Sequence, residues 1–376
     1  MIKYLIPVLL LVLLGLPLVY QSIPTEILKL KTFDAFVPKQ NSSDYFVTLN
    51  ITENDIATEG GYPFSRQKLA QIQVDLLNKG AIGVGWVIAF PQPDRFGGDT
   101  IFAETLSYAP SVLAMFENDN GEYPPTTGTV VLGDDVGGVD AEGVIQNIDI
   151  LKQNASQGIA VARAEVDSLV RRLPLLLRTP DGWVPAYSTE VLKVLAGATT
   201  YVIKTNANGL EEIRVQGLPP VPVDSLGRKW VSWVDTPQTD LKEMNVENKF
   251  VFIGFTAKGI MPQISTPAGF MEPHKIQTAL AESILIENSP YIPDWSLSAE
   301  LAIFVISVVL TWSVLTVFGV SLGIGIAVLL MFFTAGGGYY LIQTGVLVDV
   351  TWSLLAQFIT GATAFYLRAI QTKTTD

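Results

Sequence analysis

The sequence predicts an α/β fold: a mixed, mostly parallel sheet in an extracytoplasmic domain, plus four transmembrane helices, one N-terminal and three C-terminal. Three observations predict it. Charge-free runs sit at both ends of the chain, nearly all charge is confined to the stretch between them, and that stretch alternates strand-like with helix-like patterns.

The C-terminal run is the clearest element. From Leu301 to Val348 there are 48 consecutive residues without charge. A single helix of that length would reach about 72 Å, over twice a hydrocarbon core of roughly 30 Å, so the chain must double back. Phe318-Gly319-Val320-Ser321 offers the small residues for that turn. Beyond Asp349, Val350 to Leu367 gives a third span before Arg368. Glu300 and Asp349 are expected at the outer surface with Trp295 and Trp352 as interfacial anchors, and Arg368 and Lys373 inside. At the other end Lys3 precedes the apolar run Tyr4 to Tyr20. No small-x-small cleavage site follows, so an uncleaved anchor is expected in preference to a cleaved signal peptide. The expected organisation is an anchor over 1–22, an extracytoplasmic domain over 23–296, three spans over 297–370 and a short cytoplasmic tail over 371–376.

Within the spans, Gly319 and Gly323 form a small-xxx-small pair, and Gln357 is the strongly polar residue deep in the last one. Such residues let helices approach closely, either among the spans of one chain or with a partner's helix. Gln357 is expected to hydrogen-bond a neighbouring helix rather than to line a conduction path.

Composition narrows the function. The charged fraction is 16%, against roughly 25% for an ordinary soluble protein. Outside the middle stretch the bases are Lys3, Arg368 and Lys373 and the acids Asp349 and Asp376, so the middle carries the acidic excess behind a net charge of -12. An acidic domain repels nucleic acid and anionic headgroups, which excludes nucleic-acid binding. With no cysteine there is no disulfide framework and no thiol chemistry, which is compatible with a bacterial periplasm. The expected location is the bacterial inner membrane, with the main domain in the periplasm.

Along the middle, Tyr45 to Ile51 reads as a strand, and Pro63-Phe64-Ser65-Arg66 opens a helix with Leu69, Ile72, Leu76 and Leu77 on one face, stopped by Gly80. Ala81–Phe90 reads as a buried strand, Asp99–Tyr108 as a helix and Ser111–Phe116 as a third strand. Glu117–Gln157, rich in Gly, Pro, Asp and Asn, reads as one long loop excursion. Strands follow near Ile159–Arg163 and Arg171–Leu177, then a helix over Ala186–Leu195, a strand at Phe250–Gly254 and a last amphipathic helix over His274–Ile286. Strands alternating with helices imply a mostly parallel sheet covered on both faces.

At these blocks the chain resembles the second class of CHASE domains, the cyclase/histidine-kinase-associated sensory extracellular modules. Tyr62 to Arg66 is similar to the family's entry into its first helix, and Asp167-Ser168-Leu169-Val170-Arg171-Arg172-Leu173-Pro174-Leu175 to its Arg-Arg-x-Pro segment. Val221 to Asp224 with Gly227-Arg228, Lys249 to Gly254 with Thr256-Ala257, Thr266 to Gly269 and Pro293-Asp294-Trp295 follow in the family's order. The chain departs from the pattern at Asn50 and Val87, where the family carries acids, near Met261-Pro262, and at Thr278, where it carries a histidine. The resemblance implies a sensory domain. Family members commonly continue into a cyclase, kinase or phosphatase, whereas only Arg368 to Asp376 follows here, so the expected output is made in trans by another membrane protein. The alternative is a non-sensing structural or accessory subunit of a larger membrane complex, with a homo-oligomer among its forms.

Site candidates follow from residue chemistry. Arg66, at a helix start, is expected to pair with Asp94 or Asp99, and the adjacent Arg171 and Arg172 to receive an anionic ligand or to pair with a neighbouring strand's acids. Asp134, Asp135, Asp140 and Glu142 supply hard oxygens in a Gly-rich loop that suit calcium, or else are solvated turn acids. His274 is the lone histidine, and the chain holds no Gly-x-Ser-x-Gly elbow, Walker loop or His-Glu-x-x-His pattern. Neither an enzyme nor a cofactor is expected.

Overall fold

A computed structural model describes residues 2–373, with side chains over residues 5–370. The side chains of Lys3 and Lys373, and tail residues 374–376, lie outside the described residues. In chain order the elements used below are helices α1 (Ile2–Val19) and α2 (Ile23–Phe36), strand β1 (Phe46–Ile51), helix α3 (Arg66–Asn78), strand β2 (Gly83–Trp86), helix α4 (Asp99–Leu106) and strands β3 (Ser111–Glu122) and β4 (Ser156–Ile159). Helix α5 (Tyr187–Leu195), strands β5 (Gln238–Asp240) and β6 (Phe250–Phe255), and helices α6 (Pro273–Leu285), α7 (Ser296–Val317), α8 (Val320–Gln343) and α9 (Thr351–Lys373) complete them. The chain divides into two units, one of residues 39–291 and one of residues 1–38 with 292–376.

In the first unit the strands run in the order β5-β1-β6-β2-β3, with β4 also on β3, all parallel. The far end of β3 pairs antiparallel with Val144–Ile145, which makes the sheet mixed. Strand periodicity sorts the core. Val47, Leu49, Ile51, Val251, Ile253 and Phe255 join Leu69, Ile72 and Leu76 of α3 and Phe102 of α4 in one buried cluster. Phe46, Phe250 and Phe252 join Tyr187 and Val191 of α5 and Ile276 and Leu280 of α6 in another. Both faces are covered, which is why β6, Phe-Val-Phe-Ile-Gly-Phe, is buried along its whole length. Gly254 is needed because a Cβ there would collide with the ring of His274.

The expected 117–157 loop is instead partly ordered. β3 runs on to Glu122, Thr129–Leu132 pairs parallel with Tyr201–Asn206, and β4 begins at Ser156. Its composition hides these strands because they pair at sheet edges, where polar and glycine residues are tolerated. The strand expected at Ile159–Arg163 accordingly lies earlier, and Arg171–Leu177 resolves into Arg172–Pro174 and Leu176–Thr179.

In the second unit the chain turns between α7 and α8 at Phe318-Gly319, within the expected segment. α7 and α8 are long and apolar enough to cross a membrane. Leu5–Val19 and Ile23–Phe36, bent by 71°, add a third span if read as one broken helix. α9, diluted by Thr351, Ser353, Gln357, Thr360, Thr363 and Arg368, falls short of that apolarity, so among the described residues length and composition alone support two spans, or three with the bent pair. Glu300, in the first turns of α7, is buried 2.8 Å from Lys29 Nζ of α2 and accepts the amide of a buried Asp349. Gly323 approaches α7, where a Cβ would lie 2.9 Å from the Val314 carbonyl oxygen, whereas a Cβ on Gly319 would point into open space. Gln357 Nε2 donates to Thr334 Oγ1 of α8 at 3.1 Å. Arg368 donates to the carbonyls of Leu315 and Phe318 at 2.9 and 2.7 Å, favourably placed at the C-terminus of α7.

Candidate functional site

Neighbouring strands β1 and β6 send their chain to opposite sides. After β1 the next long helix is α3, on one face of the sheet, and after β6 it is α6, on the other. Where connections part at the carboxyl ends of parallel strands, a crevice is left that suits a ligand. Here it has a volume of about 280 Å³ and is lined by Tyr62, Phe64, Arg66, Phe90, Asp94 and Phe255, among others. The rings of Tyr62 and Phe64 meet Phe255 edge-on at 5.2 and 6.0 Å.

Arg66 is fixed by its neighbours. Ser65 caps α3 by accepting from Lys68 N at 3.2 Å, and the Arg66 amide donates to Asp94 Oδ2 at 2.8 Å. The Asp94 carboxylate also receives the amides of Phe96 and Gly98, at 3.1 and 3.3 Å. Burial raises the Asp94 pKa, but these three amide bonds outweigh it and hold the carboxyl below its usual range. The Arg66 guanidinium lies 4.4 Å from the Phe90 ring centroid, with Nε 3.3 Å from Asp99 Oδ1 and Nη2 donating to Gln92 O at 3.3 Å. Burial depresses the Arg66 pKa, and Asp99 and Asp94 oppose it. The cation is therefore already matched by carboxylates of its own chain.

Arg171 and Arg172 are held elsewhere, by other acids. Arg171 is fully buried and donates through both terminal nitrogens to Asp167 at 2.7 Å, with Glu165 3.8 Å away. Its hydrogen bond is the chief cause that lowers the Asp167 pKa. Arg172 Nε donates to Glu165 at 2.7 Å, and Asp224, 3.7 Å from Arg172, binds Arg228 at 2.8 Å. Arg171 and Arg172 share Glu165, whereas Arg66 pairs with Asp99 in the crevice, so the three arginines expected to bind a ligand do not form one site.

The acidic loop is likewise divided. Asp135 pairs with Arg178 at 3.1 Å, and Glu142 lies 3.8 Å from Arg163, which also pairs with Glu117. Asp134 and Asp140 engage Thr205 and Arg163 through their backbone carbonyls, at 2.6 and 2.9 Å. Among the described residues no group of three acidic or histidine side chains converges to hold a metal ion.

On the other face of the sheet, Asn50 links to Gln238 at 3.0 Å and its Oδ1 lies 2.8 Å from His274 Nε2. Asn50 uses its amide nitrogen on Gln238, so the neutral His274 ring donates from Nε2. Burial drives the His274 pKa down to about 3. As pH falls, the unfolded chain takes up this proton near its ordinary value while the folded chain refuses it. Stability is therefore lost progressively from about pH 6.5 down towards pH 3. Nitrogen NMR of the single histidine at pH 5 is expected to show a neutral ring protonated on Nε2. An imidazolium signal there would contradict the buried placement.

Of the crevice residues, Arg66 and Asp94, with Asp99 beside them, are legible in sequence as a helix-start base with acids nearby. Tyr62 and Phe64 ahead of α3, Phe90 after β2 and Phe255 at the end of β6 are not, because aromatic residues in such places read as core. No curated protein and no solved structure matches the chain significantly. A family model described as CHASE2 domain matches residues 8–318, from α1 through the doubly wound domain to the turn after α7. With most of its length covered, this chain belongs to the CHASE2 domain family.

Proposed function

We propose that the chain is a membrane-anchored sensory module of the bacterial inner membrane, with residues 39–291 in the periplasm, held by four spans that include α9, and with its output made by a partner membrane protein. CHASE2 domains are extracellular sensory domains, and α7 and α8 have the length and apolarity of spans. The observation that carries the reading is the crevice at the β1/β6 switch point, with aromatic walls and two arginines, Arg66 and Arg95, on its lining. Arg66 is matched by Asp99 and Asp94, so the buried part of the crevice suits apolar or aromatic surface, while the exposed Arg95 stacks on Phe96 and is open to a polar or anionic group of the same small molecule.

The test uses the full chain in mild detergent, with thermal unfolding followed across a small-molecule library. A true ligand at a hundred times its Kd is expected to stabilise by about 2.7 kcal/mol. The shift should shrink in Tyr62→Ala, measured against that variant's own baseline. No shift across a broad library would sink the sensing reading. A second reading, a non-sensing accessory subunit, is supported by the internal pairing of Arg66, Arg171 and Arg172. Co-purification of a stoichiometric multi-subunit complex, rather than a kinase or cyclase, would favour it.

A further inference from the structure

Once the crevice at the β1/β6 switch point has made its own hydrogen bonds, the polar groups left unused share one character. Both carboxylates are spent. Asp94 Oδ1 accepts the Phe96 amide, and its Oδ2 accepts the amides of Arg66 and Gly98. Asp99, beside the crevice, accepts the Asp94 amide through Oδ2 and faces Arg66 Nε through Oδ1. An entering ammonium would have to share oxygens that already serve backbone amides and a guanidinium. The unused groups are donors. Arg66 turns Nε to Asp99 and donates from Nη2 to Gln92 O, but Nη1 makes no hydrogen bond and, unlike Nε, is not sealed from the surface. Arg95 is exposed on the same lining. Its guanidinium makes no ion pair or hydrogen bond among the described residues and lies 4.6 Å from the Phe96 ring centroid.

Charge and size then narrow the occupant. Arg66 has Asp99, whereas Arg95 has no acid within ion-pairing distance among the described residues, so one negative charge matches it. A carboxylate brings that single charge and accepts two parallel N–H groups of a guanidinium fork. A phosphate monoester would bring nearly two charges, the second without a partner. The buried part of the lining, Phe64, Leu69, Ile88 and Phe90, is apolar. The volume of about 280 Å³ sits at the lower edge of ligand cavities, roughly 300–1,000 Å³, so the body is small. Tyr62 and Phe64 already meet Phe255 edge-on, an arrangement that a further ring extends. We propose that this crevice takes a compact aromatic monocarboxylate, its ring among Tyr62, Phe64 and Phe255 and its carboxylate held by Arg95 and Arg66 Nη1. The inference deepens the sensory reading and rests on the crevice that carries it.

The test titrates the full chain in mild detergent with benzoate, phenylacetate and 3-phenylpropanoate, each beside its uncharged primary amide, and reads affinity by calorimetry. At least one acid is expected to bind about tenfold more tightly than its amide, the ratio that one charge-assisted contact supports. That preference should shrink with added salt, because Arg95 is exposed. Arg95→Gln, which gives up only the stack on Phe96, should bring acid and amide level. Tyr62→Ala should weaken both alike. Equal affinity of acid and amide, or a preference that survives Arg95→Gln, would overturn the carboxylate while leaving a crevice that binds apolar molecules. Phenethylamine or phenyl phosphate binding more tightly than every acid would overturn it as well. If none of the three acids binds, the aromatic acid is refuted, whereas the sensory reading falls only with the broad library, so the two failures are told apart.

Discussion

Asp167→Ala is expected to destabilise the folded chain by about 3–5 kcal/mol, because it leaves the buried Arg171 guanidinium without its bidentate partner. Glu165, 3.8 Å from Arg171 and already bonded to Arg172, recovers only part of the loss. Replacing both members of the pair by apolar residues of similar volume should restore much of the stability, since no charge then stays buried. The folded-state pKa of Asp167 lies below its unfolded value, so its contribution is present above the unfolded pKa and is lost as pH falls through the folded one. Urea unfolding followed by tryptophan fluorescence at pH 7 would measure the effect. A loss under about 1 kcal/mol would show that the pair behaves as a solvent-exposed one.

Lys229→Met should act in the opposite direction. Lys229 is 1% exposed; its ammonium reaches the carbonyl oxygens of Ser289 at 3.1 Å and Pro222 at 3.5 Å, and the ring of Tyr291 at 6.0 Å. No carboxylate pairs with it in these contacts, and burial lowers its pKa to about 7. Between about pH 7 and the unfolded value near 10.4, the unfolded chain holds a proton that the folded chain has released. Stability therefore rises with pH over that window, by up to about 1.4 kcal/mol per unit. The methionine variant is expected to lose this rise and to be more stable at pH 7 by about 1–4 kcal/mol. Unfolding free energies at pH 7, 8 and 9 decide it: a wild-type curve flat over that range would rule out a buried, titrating lysine.

The legible parts of the fold are those where apolar periodicity and punctuation agree. Phe46–Ile51 and Phe250–Phe255 announce themselves by branched and aromatic residues, and α3 by Leu69, Ile72 and Leu76 ahead of Gly80. β5 does not, because Gln-Thr-Asp carries no strand signal and is made a strand by pairing along β1. β4 was hidden for a related reason, since Gly158 is required where the backbone of Tyr187 passes close. α2 carries no such signal, because Lys29, Lys31 and Asp34 interrupt its apolar residues, and only Glu300, far along the chain, explains the burial of Lys29. At the site, the polar part of the crevice is written locally between Ser65 and Asp99, whereas its aromatic part comes from the lead-in to α3, the segment after β2 and the end of β6, which only the topology unites.

The Lys29–Glu300 contact joins positions 271 residues apart. If both helices stay in a bilayer when residues 39–291 melt, the melted segment is a closed ring rather than a chain with loose ends. Ideal-chain closure over that length restricts the denatured ensemble by on the order of 5 kcal/mol. The same domain excised as a soluble fragment would forfeit this restriction, so its melting would understate how firmly it holds in the intact protein.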